Sequence, residues 1–396
     1  MKALNMQIAL NFSLLQQANV YAPEHLGIKD ILICDDKIVA IDDYINPEQF
    51  PNCVVYDLQG KIVTPGFIDQ HVHLIGGGGE AGPHSRTPEV QLSTLTLSGI
   101  TTVVGLLGTD SITRHPESLL AKTVALNHEG ITAYMFAGAY TVPTPTVTGD
   151  LQKDIAFIPS IIGAKTAISD HRSSAPSVEA LSKIVANARV GGLLGGKAGV
   201  TVFHMGTSQK TLKPIEDILE NSDVPITKLL PTHVNRCEHL FAHAIEFAKR
   251  GGYIDLTSGI SPELGSRNAI KPSKAIKRAV EQGAPIEKIT LSSDGQGSQP
   301  VFNAKGELIG ISVAGFESLM NEFRDLIQQE GFSIEDALKV VTSNVATLLH
   351  FDTGTLKIGK QADILVFDDA MQLDMVFAKG QIMVKDAKAC VFGTFE

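Results

Sequence analysis

The fold of this chain is decided by one stretch, Ile62-Val63-Thr64-Pro65-Gly66-Phe67-Ile68-Asp69-Gln70-His71-Val72-His73-Leu74. Its β-branched and apolar residues predict a buried strand that ends in the motif His71-x-His73. Because successive strand side chains point to opposite faces, the two imidazoles share one face, about 7 Å apart. Two imidazoles on one face can bind one metal ion, and a pair of histidines that only form hydrogen bonds is an equal alternative. The surrounding sequence decides between the two.

Length and composition bound the class of protein. The chain has 396 residues, enough for one large α/β domain and a smaller one. Its formal net charge is −10 at pH 7, so we expect no surface for nucleic acid or for an acidic membrane. The four cysteines are scattered, which favours reduced thiols in a cytoplasmic protein over a disulfide framework. Asn5, Gln7 and Asn11 interrupt the N-terminal segment, so we expect neither a signal peptide nor a membrane span.

Both ends of the chain carry short apolar runs typical of strands. Such runs occur between residues 30 and 57 and again between residues 362 and 384. Because the ends of a domain often lie close together, strands from the two ends can pair with each other. The sequence therefore predicts one small β-domain built from both ends of the chain.

Between these ends, eight apolar runs alternate with amphipathic helical segments. The runs are Ile62–Leu74, Thr101–Leu107, Thr132–Ala137, Ile161–Thr166, Val200–His204, Lys228–His233, Tyr253–Thr257 and Ile289–Asp294. Continuous apolar strands that alternate with helices are typical of a (β/α)8 barrel. A doubly wound open sheet is the alternative, but Gly76–Gly79 lacks the spacing of a dinucleotide or phosphate loop. We therefore predict an α/β protein with a TIM-like barrel over residues 64–350.

Titratable side chains stand at or near the C-terminal ends of five of these runs, where barrel enzymes place their chemistry. They are His71, His73, Lys165, His204, His233 and Asp294. Each alone has an ordinary explanation, such as a hydrogen-bonded histidine or an aspartate in a turn. Four imidazoles and a carboxylate that converge on one barrel mouth indicate a metal centre.

Lys165 lies in a strand that we expect to be buried on both faces. A buried, unpaired ammonium group is costly, and beside metal ions it would be costlier still. The conflict disappears if the amine has reacted with carbon dioxide to give a carbamate, an anion able to bridge two metal ions. The alternative is a lysine whose amine reaches the solvent near the strand end.

The order of these residues resembles the binuclear metal amidohydrolase superfamily. Further segments are similar to its isoaspartyl (β-aspartyl) dipeptidase family, namely Gly76–Pro83, Gly105–Asp110, Ile168–Arg172, Phe203–Gly206, Leu230–Arg236 and Ser292–Gly295. The resemblance covers nearly the whole chain and departs at no metal-ligand position. It implies that residues 1–63 and 351–396 form the two halves of a small β-sandwich beside the barrel.

The resemblance also implies the metal chemistry. His71 and His73 would hold one divalent ion and His204 and His233 the other, with Lys165 as an N6-carboxylysine bridge and Asp294 on the first ion. Zinc suits these ligands, with manganese, cobalt and nickel as alternatives. The expected nucleophile is a hydroxide that bridges the ions, and Asp294 would carry its proton to the leaving amine.

Charged residues near the strand ends indicate which charges a substrate would carry. A β-aspartyl dipeptide has one ammonium group and two carboxylates, which Glu80, Arg172 and Arg236 would complement. Surface solvation is the alternative for each of these residues taken alone. The resemblance implies that Glu80 binds the amine and the two arginines bind carboxylates. It also implies contacts from Gly78, Thr109 and Ser298.

Tyr140 stands at the root of Thr141–Gly149, a segment rich in Pro and Thr that reads as a mobile lid. A tyrosine there could bind substrate and donate its phenol proton to the scissile carbonyl oxygen as charge develops. A tyrosine that only packs the loop onto the barrel is the alternative. The resemblance favours catalysis.

The sequence therefore predicts hydrolysis of β-aspartyl dipeptides to aspartate and an amino acid. Hydrolysis of a cyclic amide, as in dihydroorotases and hydantoinases, is the alternative, and Glu80 is the distinguishing residue because those substrates present no free ammonium. A non-enzymatic scaffold is disfavoured because all six ligand positions are kept. The expected partner is a small zwitterionic dipeptide, the expected location is cytoplasmic, and the resemblance implies a homo-octamer.

Overall fold

The computed structural model describes residues 10–302 and 308–396. Residues 1–9, on which part of the signal-peptide prediction falls, lie outside the described residues. Within the described ranges, no helix is long and apolar enough to cross a membrane.

The strands of the described ranges are β1 (Phe12–Tyr21), β2 (His25–Cys34), β3 (Lys37–Asp42), β4 (Val54–Asp57), β5 (Ile62–Pro65), β6 (Phe67–Val72), β7 (Ile100–Gly105), β8 (Thr132–Gly138), β9 (Ile161–Ile168), β10 (Val200–Met205), β11 (Leu229–Thr232), β12 (Ile254–Thr257), β13 (Ile289–Ser292), β14 (Ser298–Phe302), β15 (Leu308–Val313), β16 (Ile364–Phe367), β17 (Leu373–Ala378), β18 (Gln381–Lys385) and β19 (Lys388–Ala389).

The helices are α1 (Leu92–Thr96), α2 (Pro116–Glu129), α3 (Leu151–Phe157), α4 (Val178–Gly195), α5 (Lys213–Glu220), α6 (Glu238–Lys249), α7 (Pro272–Glu281), α8 (Glu317–Gln328), α9 (Ile334–Lys339) and α10 (Ser343–Leu349). Short 3-10 turns occupy Pro47–Gln49, Pro83–Ser85, Ile226–Lys228, Val234–Arg236 and Ile286–Lys288.

Strands from the two ends of the chain form one sheet in the order β19-β18-β17-β16-β5-β1-β2-β3, with β4 beside β1. The ends meet where β5 pairs antiparallel with β16 and parallel with β1. A separate apolar cluster that includes Leu15, Ile31, Val63 and Ile364 holds this sheet together. The sandwich and its boundaries at residues 63 and 351 stay predictions.

Each of the eight predicted apolar runs overlaps one of the parallel strands β6 to β13. Six of them form a sheet in the order β11-β10-β9-β8-β7-β6, and β12 pairs with β13. A parallel bridge between Val72 and Gly295 links the end of β6 to the segment that follows β13. The predicted alternation of parallel strands and helices is therefore present, and it brings all eight strand ends to the same side of the fold.

The chain passes from one sheet to the other at Gly66, where a single strand was predicted. A Cβ atom at this position would lie only 2.1 Å from Thr101 Oγ1, so only glycine fits. The Gly66 amide donates to the Asp363 carbonyl at 2.9 Å, and the Phe67 amide donates to Gly99 at 3.0 Å. The run Ile62–Leu74 is therefore two strands, because its backbone changes partners between them.

A short break at residues 340–342 separates α9 from α10. The carbonyls of Val340 and Val341 accept hydrogen bonds from the Leu291 and Ile68 amides, both at 2.9 Å. These amides belong to β13 and β6, so the break supplies backbone partners to two strands that carry predicted site residues.

A buried carboxylate ties together three of the strands that carry the site. Asp255 in β12 accepts hydrogen bonds from Gln70 Nε2 (2.7 Å), Thr232 Oγ1 (2.6 Å), Thr290 Oγ1 (2.8 Å) and Ser292 Oγ (2.7 Å). These donors lie on β6, β11 and β13. Burial raises the pKa of Asp255 to about 6, although the four hydrogen bonds oppose the rise.

Candidate metal centre and substrate site

The six predicted metal ligands lie in or directly after five parallel strands. His71, Lys165 and His204 lie in β6, β9 and β10, whereas His73, His233 and Asp294 follow β6, β11 and β13 within two residues. The lysine and the histidines are buried, and the Asp294 side chain is 26% exposed. The carboxyl ends of these strands are where the sequence predicted the site.

Two ligand positions adopt a left-handed backbone that is rare outside glycine. The φ angles are 63° at His233 and 56° at Asp294. Such a conformation costs on the order of 1–2 kcal/mol, and strained residues of this kind cluster at functional sites.

Five of the six side chains meet. Asp294 Oδ1 lies 3.1 Å from His73 Nε2 and 3.5 Å from His71 Nε2. Lys165 Nζ lies 2.9 Å from His71 Nε2. One ligand atom each from His71, His233 and Asp294 falls within 4.8 Å of the others, a spacing that could hold a metal ion.

His204, the sixth predicted ligand, packs beside this group but is engaged elsewhere. Its ring centroid lies 4.6 Å from that of His233. Its Nδ1 lies 2.5 Å from Tyr140 Oη, and its Nε2 lies 3.0 Å from Asp170 Oδ2. Both ring nitrogens of His204 therefore have protein partners in this structure.

The donor set fits a metal centre. His233 Nε2 is buried and has no hydrogen-bond partner in the part of the chain that the structure describes. Burial holds the pKa of His71 and of His233 well below the ordinary value, so both rings are neutral, the form that binds metal. Buried imidazole nitrogens without a partner are unfavourable unless a further group satisfies them.

Lys165 and Asp294 carry the expected protonation for such a site. Burial lowers the pKa of Lys165 to about 7, so much of the amine is neutral near neutral pH. Burial alone would raise the pKa of Asp294, but the hydrogen bond from His73 and the neighbouring His71 hold it well below its usual range. Asp294 is therefore an ionised carboxylate.

The predicted substrate contacts converge on Glu80. Its carboxylate accepts hydrogen bonds from Arg172 Nη1 at 3.2 Å, Thr109 Oγ1 at 3.3 Å and Ser298 Oγ at 3.4 Å. Gly78 has a φ of 72°, and a Cβ atom there would lie 2.5 Å from a backbone carbonyl and 3.2 Å from Ser298 Cβ. Ser298 begins the β14–β15 hairpin, which the sequence did not predict.

Tyr140 and Arg236 also lie beside the predicted metal ligands and substrate contacts. The Arg172 guanidinium lies 5.4 Å from the centre of the Tyr140 ring, and Lys165 Nζ lies 5.5 Å from it. Burial raises the pKa of Tyr140 far above its ordinary value, so the phenol keeps its proton. Arg236 follows His233 in a 3-10 turn, and its Nε is buried without a hydrogen-bond partner among the described residues. It is thus available to an anionic group.

The segment Thr141–Gly149, predicted as a mobile lid, is tied at both ends. The buried carboxylate of Asp154 accepts hydrogen bonds from the Val147 amide at 2.7 Å and the Thr148 amide at 2.8 Å. Near the other end, the Val142 amide donates to Ser174 Oγ at 2.9 Å. The mobility of this segment stays a prediction.

Sequence reasoning overlooked two residues that contact the predicted ligands. Asp170 binds His204 and Arg172, and Thr257 Oγ1 lies 2.6 Å from His233 Nδ1. Asp170 stands two residues before Arg172, and Thr257 ends a predicted strand, so both positions carried a weak signal. Neither residue type indicates by itself which ligand it would support.

Known proteins resemble this chain in sequence and fold. A model of the amidohydrolase family matches residues 217–383. The beta-aspartyl dipeptidase of Fervidobacterium islandicum AW-1, solved in complex with a beta-Asp-Leu dipeptide, is 38% identical with a TM-score of 0.89, over 97% of this chain and 100% of that one. A dihydroorotase of Bacillus cytotoxicus is 24% identical over 373 residues, 86% of this chain and 84% of its own. The dihydropyrimidinase of Brevibacillus agri NCHU1002 is 16% identical with a TM-score of 0.66, over 96% and 97% of the chains, which shows the fold alone.

The family model and the structural neighbours define the class of protein, a hydrolase of the amidohydrolase superfamily, whose fold implies a TIM-like barrel. Identity of 38% over almost the full length of both chains narrows the class further. The chain belongs to the beta-aspartyl dipeptidase family, and the resemblance stated from the sequence is confirmed.

Proposed function

We propose that this chain hydrolyses β-aspartyl dipeptides at a binuclear metal centre, releasing aspartate and an amino acid. The observation that carries the proposal is that Arg172 lies 3.2 Å from both Glu80 and His204, while Arg236 follows His233 in a 3-10 turn. One anionic and two cationic side chains complement the ammonium and the two carboxylates of such a dipeptide. The complex of the Fervidobacterium relative with beta-Asp-Leu supports this choice of substrate.

Six side chains would hold the metal ions. His71, His73 and Asp294 would bind one ion and His204 and His233 the other, with carboxylated Lys165 between them. A neutral amine is the form that reacts with carbon dioxide, and the pKa of about 7 that burial gives Lys165 supports this modification. Two divalent ions bound there, zinc by preference, would polarise the scissile carbonyl and make a bound water acidic near neutral pH.

The side chains of the site would handle the protons. Asp294 is ionised and would accept the proton of the attacking water and pass it to the leaving amine, which leaves poorly unless protonated. Tyr140 keeps its proton and would donate a hydrogen bond to the carbonyl oxygen as negative charge develops there. The ionised carboxylate can accept a proton and the neutral phenol can donate a hydrogen bond, as these two roles require.

Substrate binding would exchange one ion pair for others. In this structure Glu80 and Arg172 bind each other at 3.2 Å. A dipeptide with an ammonium group and a carboxylate offers each of them a new partner, so its binding loses little electrostatic energy when this pair separates. A cyclic amide such as dihydroorotate can offer Arg172 a carboxylate but has no ammonium group, so Glu80 would lose its partner without gaining another.

Hydrolysis of a cyclic amide is the second candidate, favoured by the dihydroorotase relative that aligns with most of the chain. A hydrolysis assay distinguishes the two functions. The protein is loaded with a defined metal, and its turnover of β-aspartyl-leucine, α-aspartyl-leucine and dihydroorotate is compared. We expect turnover of β-aspartyl-leucine above both others. Preferred turnover of dihydroorotate would reject the dipeptidase proposal.

The same assay on Arg236→Met tests the charge argument. Removing a charge-assisted contact from an enclosed site costs about 2–5 kcal/mol, or roughly 30-fold or more in kcat/KM. Metal content should stay unchanged, and wild-type kinetics in this variant would exclude the assigned role. The absence of nucleic-acid and membrane partners, a cytoplasmic location and an octameric assembly stay predictions.

A further inference from the structure

Asp170 occupies a position that neither the metal chemistry nor the substrate charges assign. It lies in the loop after β9, and its side chain is only 3% exposed. Oδ1 accepts hydrogen bonds from the Arg172 amide at 2.8 Å and from Arg172 Nε at 3.0 Å. Oδ2 accepts from Arg172 Nη2 and from His204 Nε2, both at 3.0 Å. One buried carboxylate thus bridges a proposed metal ligand and a proposed substrate-binding arginine.

These contacts define the tautomer of His204. An ionised carboxylate only accepts hydrogen bonds, so His204 Nε2 carries the ring proton. Arg172 Nη2 also lies 3.2 Å from Nε2, but a lone pair on that nitrogen would be repelled by Asp170 Oδ2. The lone pair therefore resides on Nδ1, where the Tyr140 hydroxyl donates a hydrogen bond at 2.5 Å.

His233 shows the same arrangement with a different partner. Its Nδ1 is bound to Thr257 Oγ1 at 2.6 Å, whereas its Nε2 has no partner in the part of the chain that the structure describes. In each ring, one nitrogen is fixed by a side chain outside the ligand cluster. The opposite nitrogen is left as the acceptor, as in histidines that bind metal with support from an outer hydrogen bond.

We propose that Asp170 is a positioning residue shared by the two halves of the site, holding His204 with Nδ1 available to a metal ion and Arg172 in place for a substrate carboxylate. The second half rests on the proposed function, whereas the first half does not. Metal binding at Nδ1 would displace the hydroxyl of Tyr140 from this nitrogen and free it for the substrate. Loss of Asp170 should therefore weaken metal binding and substrate binding together.

The test measures metal binding independently of activity. Metal-depleted wild type, Asp170→Asn, Arg172→Met and the double variant are titrated with Zn²⁺ against a chelating indicator. We expect Asp170→Asn to weaken the second of the two zinc-binding events about 10- to 100-fold, the usual effect of losing such a partner. Arg172→Met should bind both ions as wild type does, because it leaves the Asp170–His204 contact in place.

Steady-state kinetics on β-aspartyl-leucine at saturating Zn²⁺ supply the second measurement. Arg172→Met and Asp170→Asn should each raise KM at least 10-fold. Because Asp170 acts on the substrate through Arg172, the two effects on KM should not add in the double variant. The loss of zinc affinity should persist unchanged in the Arg172→Met background, which a general loss of structure would not produce.

Asp110→Asn is the matched control. Asp110 lies in the loop after β7 and pairs with Arg114 at 3.1 Å, and it contacts no proposed metal ligand among the described residues. Its zinc affinity should equal that of wild type. If Asp170→Asn does not fold by circular dichroism, Asp170→Glu keeps the carboxylate and should still bind zinc less tightly, because its longer side chain displaces the oxygen from Nε2.

Two outcomes overturn the proposal. Wild-type zinc affinity in folded Asp170→Asn would remove the role at His204, and additive effects on KM would remove the role through Arg172. If wild type does not hydrolyse β-aspartyl-leucine while Asp170→Asn still loses zinc affinity, the proposed function fails and the role at His204 stands.

Discussion

At the scale of single residues, Lys165 is the side chain whose chemistry depends most on its surroundings. It is fully buried, and its amine lies 2.9 Å from a histidine nitrogen instead of a carboxylate. Burial lowers its pKa to about 7, which favours the neutral amine that a carbamate requires. The same lysine in contact with water would keep its proton and could not be carboxylated at neutral pH.

Lys165→Ala should therefore lose most of its bound metal and most of its activity. Short carboxylic acids added with metal should restore part of the activity by replacing the bridging anion. Metal analysis and rates with and without propionate provide the measurement. Lys197→Ala is the matched control, because Lys197 donates to carbonyls at Ile155 and Ile161, away from the site. Full metal occupancy in Lys165→Ala would exclude the bridge.

Tyr140→Phe removes one hydroxyl and keeps the ring that packs against His204. If the hydroxyl stabilises the developing charge on the carbonyl oxygen, kcat should fall roughly 100-fold or more with metal content unchanged. The control is Tyr134→Phe in β8, the strand that precedes Tyr140, because the Tyr134 ring stacks on Phe351 at 4.4 Å. A kcat for Tyr140→Phe within a few-fold of wild type would leave Tyr140 with a packing role alone.

At the scale of elements, the Thr141–Gly149 segment takes its shape from the helix that follows it. Asp154, in the first turn of α3, is fully buried and binds two backbone amides and the Thr148 hydroxyl of this segment. Hydrogen bonds to a charged group contribute about 1.5–3 kcal/mol each, more than ordinary ones. The segment is therefore anchored at its C-terminal end by one carboxylate.

Asp154→Asn should lower the free energy of unfolding by about 1–3 kcal/mol, because an amide NH2 would face backbone donors. Chemical denaturation at a fixed metal concentration measures the change. Asp150→Asn in the same turn is the control, since Asp150 caps α3 by accepting from the Lys153 amide and asparagine caps a helix equally well. Equal stability of both variants would show that Asp154 does not anchor the segment.

The elements that the sequence predicted are those with a periodic pattern. The eight apolar runs were recognised because buried parallel strands have continuous apolar sequences. The break at Gly66 was not, since it depends on the distance to Thr101 in another strand. The break after α9 depends on amides of β6 and β13 in the same way. Neither break can be read from its own segment, because each depends on contacts with residues far away in the sequence.

In the candidate site, too, the sequence predicted what depends on the strand pattern and missed what depends on contacts between strands. The predicted ligands stand at the ends of recognisable strands, so their convergence followed from the strand order alone. Asp170 and Thr257 were missed because their importance lies in what they touch, a histidine from another strand in each case. That His204 binds Tyr140 and Asp170 in this structure was likewise not predictable from its position in a strand.

At the scale of the whole molecule, stability depends on pH through buried acids. The pKa of Asp255 is raised from 3.8 to about 6 in the folded protein. The folded state therefore keeps a proton that the unfolded chain loses above pH 4. The resulting stabilisation is complete below about pH 4 and is lost as the pH rises through about 6.

Asp255→Asn should remove the contribution of Asp255 to this dependence, because asparagine does not titrate. Relative to wild type, the variant should gain free energy of unfolding on the order of 3 kcal/mol between pH 4 and pH 7, at about 1.4 kcal/mol for each unit of pKa shift. Thermal or chemical unfolding of both proteins at fixed metal concentration gives the difference at each pH. A difference that does not change with pH would show that Asp255 is ionised throughout.

The pairing of β5 with β16 has a consequence for synthesis of the protein. These strands are neighbours in one sheet, yet residues 66–363 separate them in sequence. A ribosome releases β5 long before β16 exists, so one edge of β5 waits unpaired while the parallel strands are made. Contacts between such distant residues also slow folding, and an unpaired edge can associate with other chains. The second edge of β5 can therefore pair only after β16 has left the ribosome, so it stays open to other chains for as long as the barrel segment is being translated.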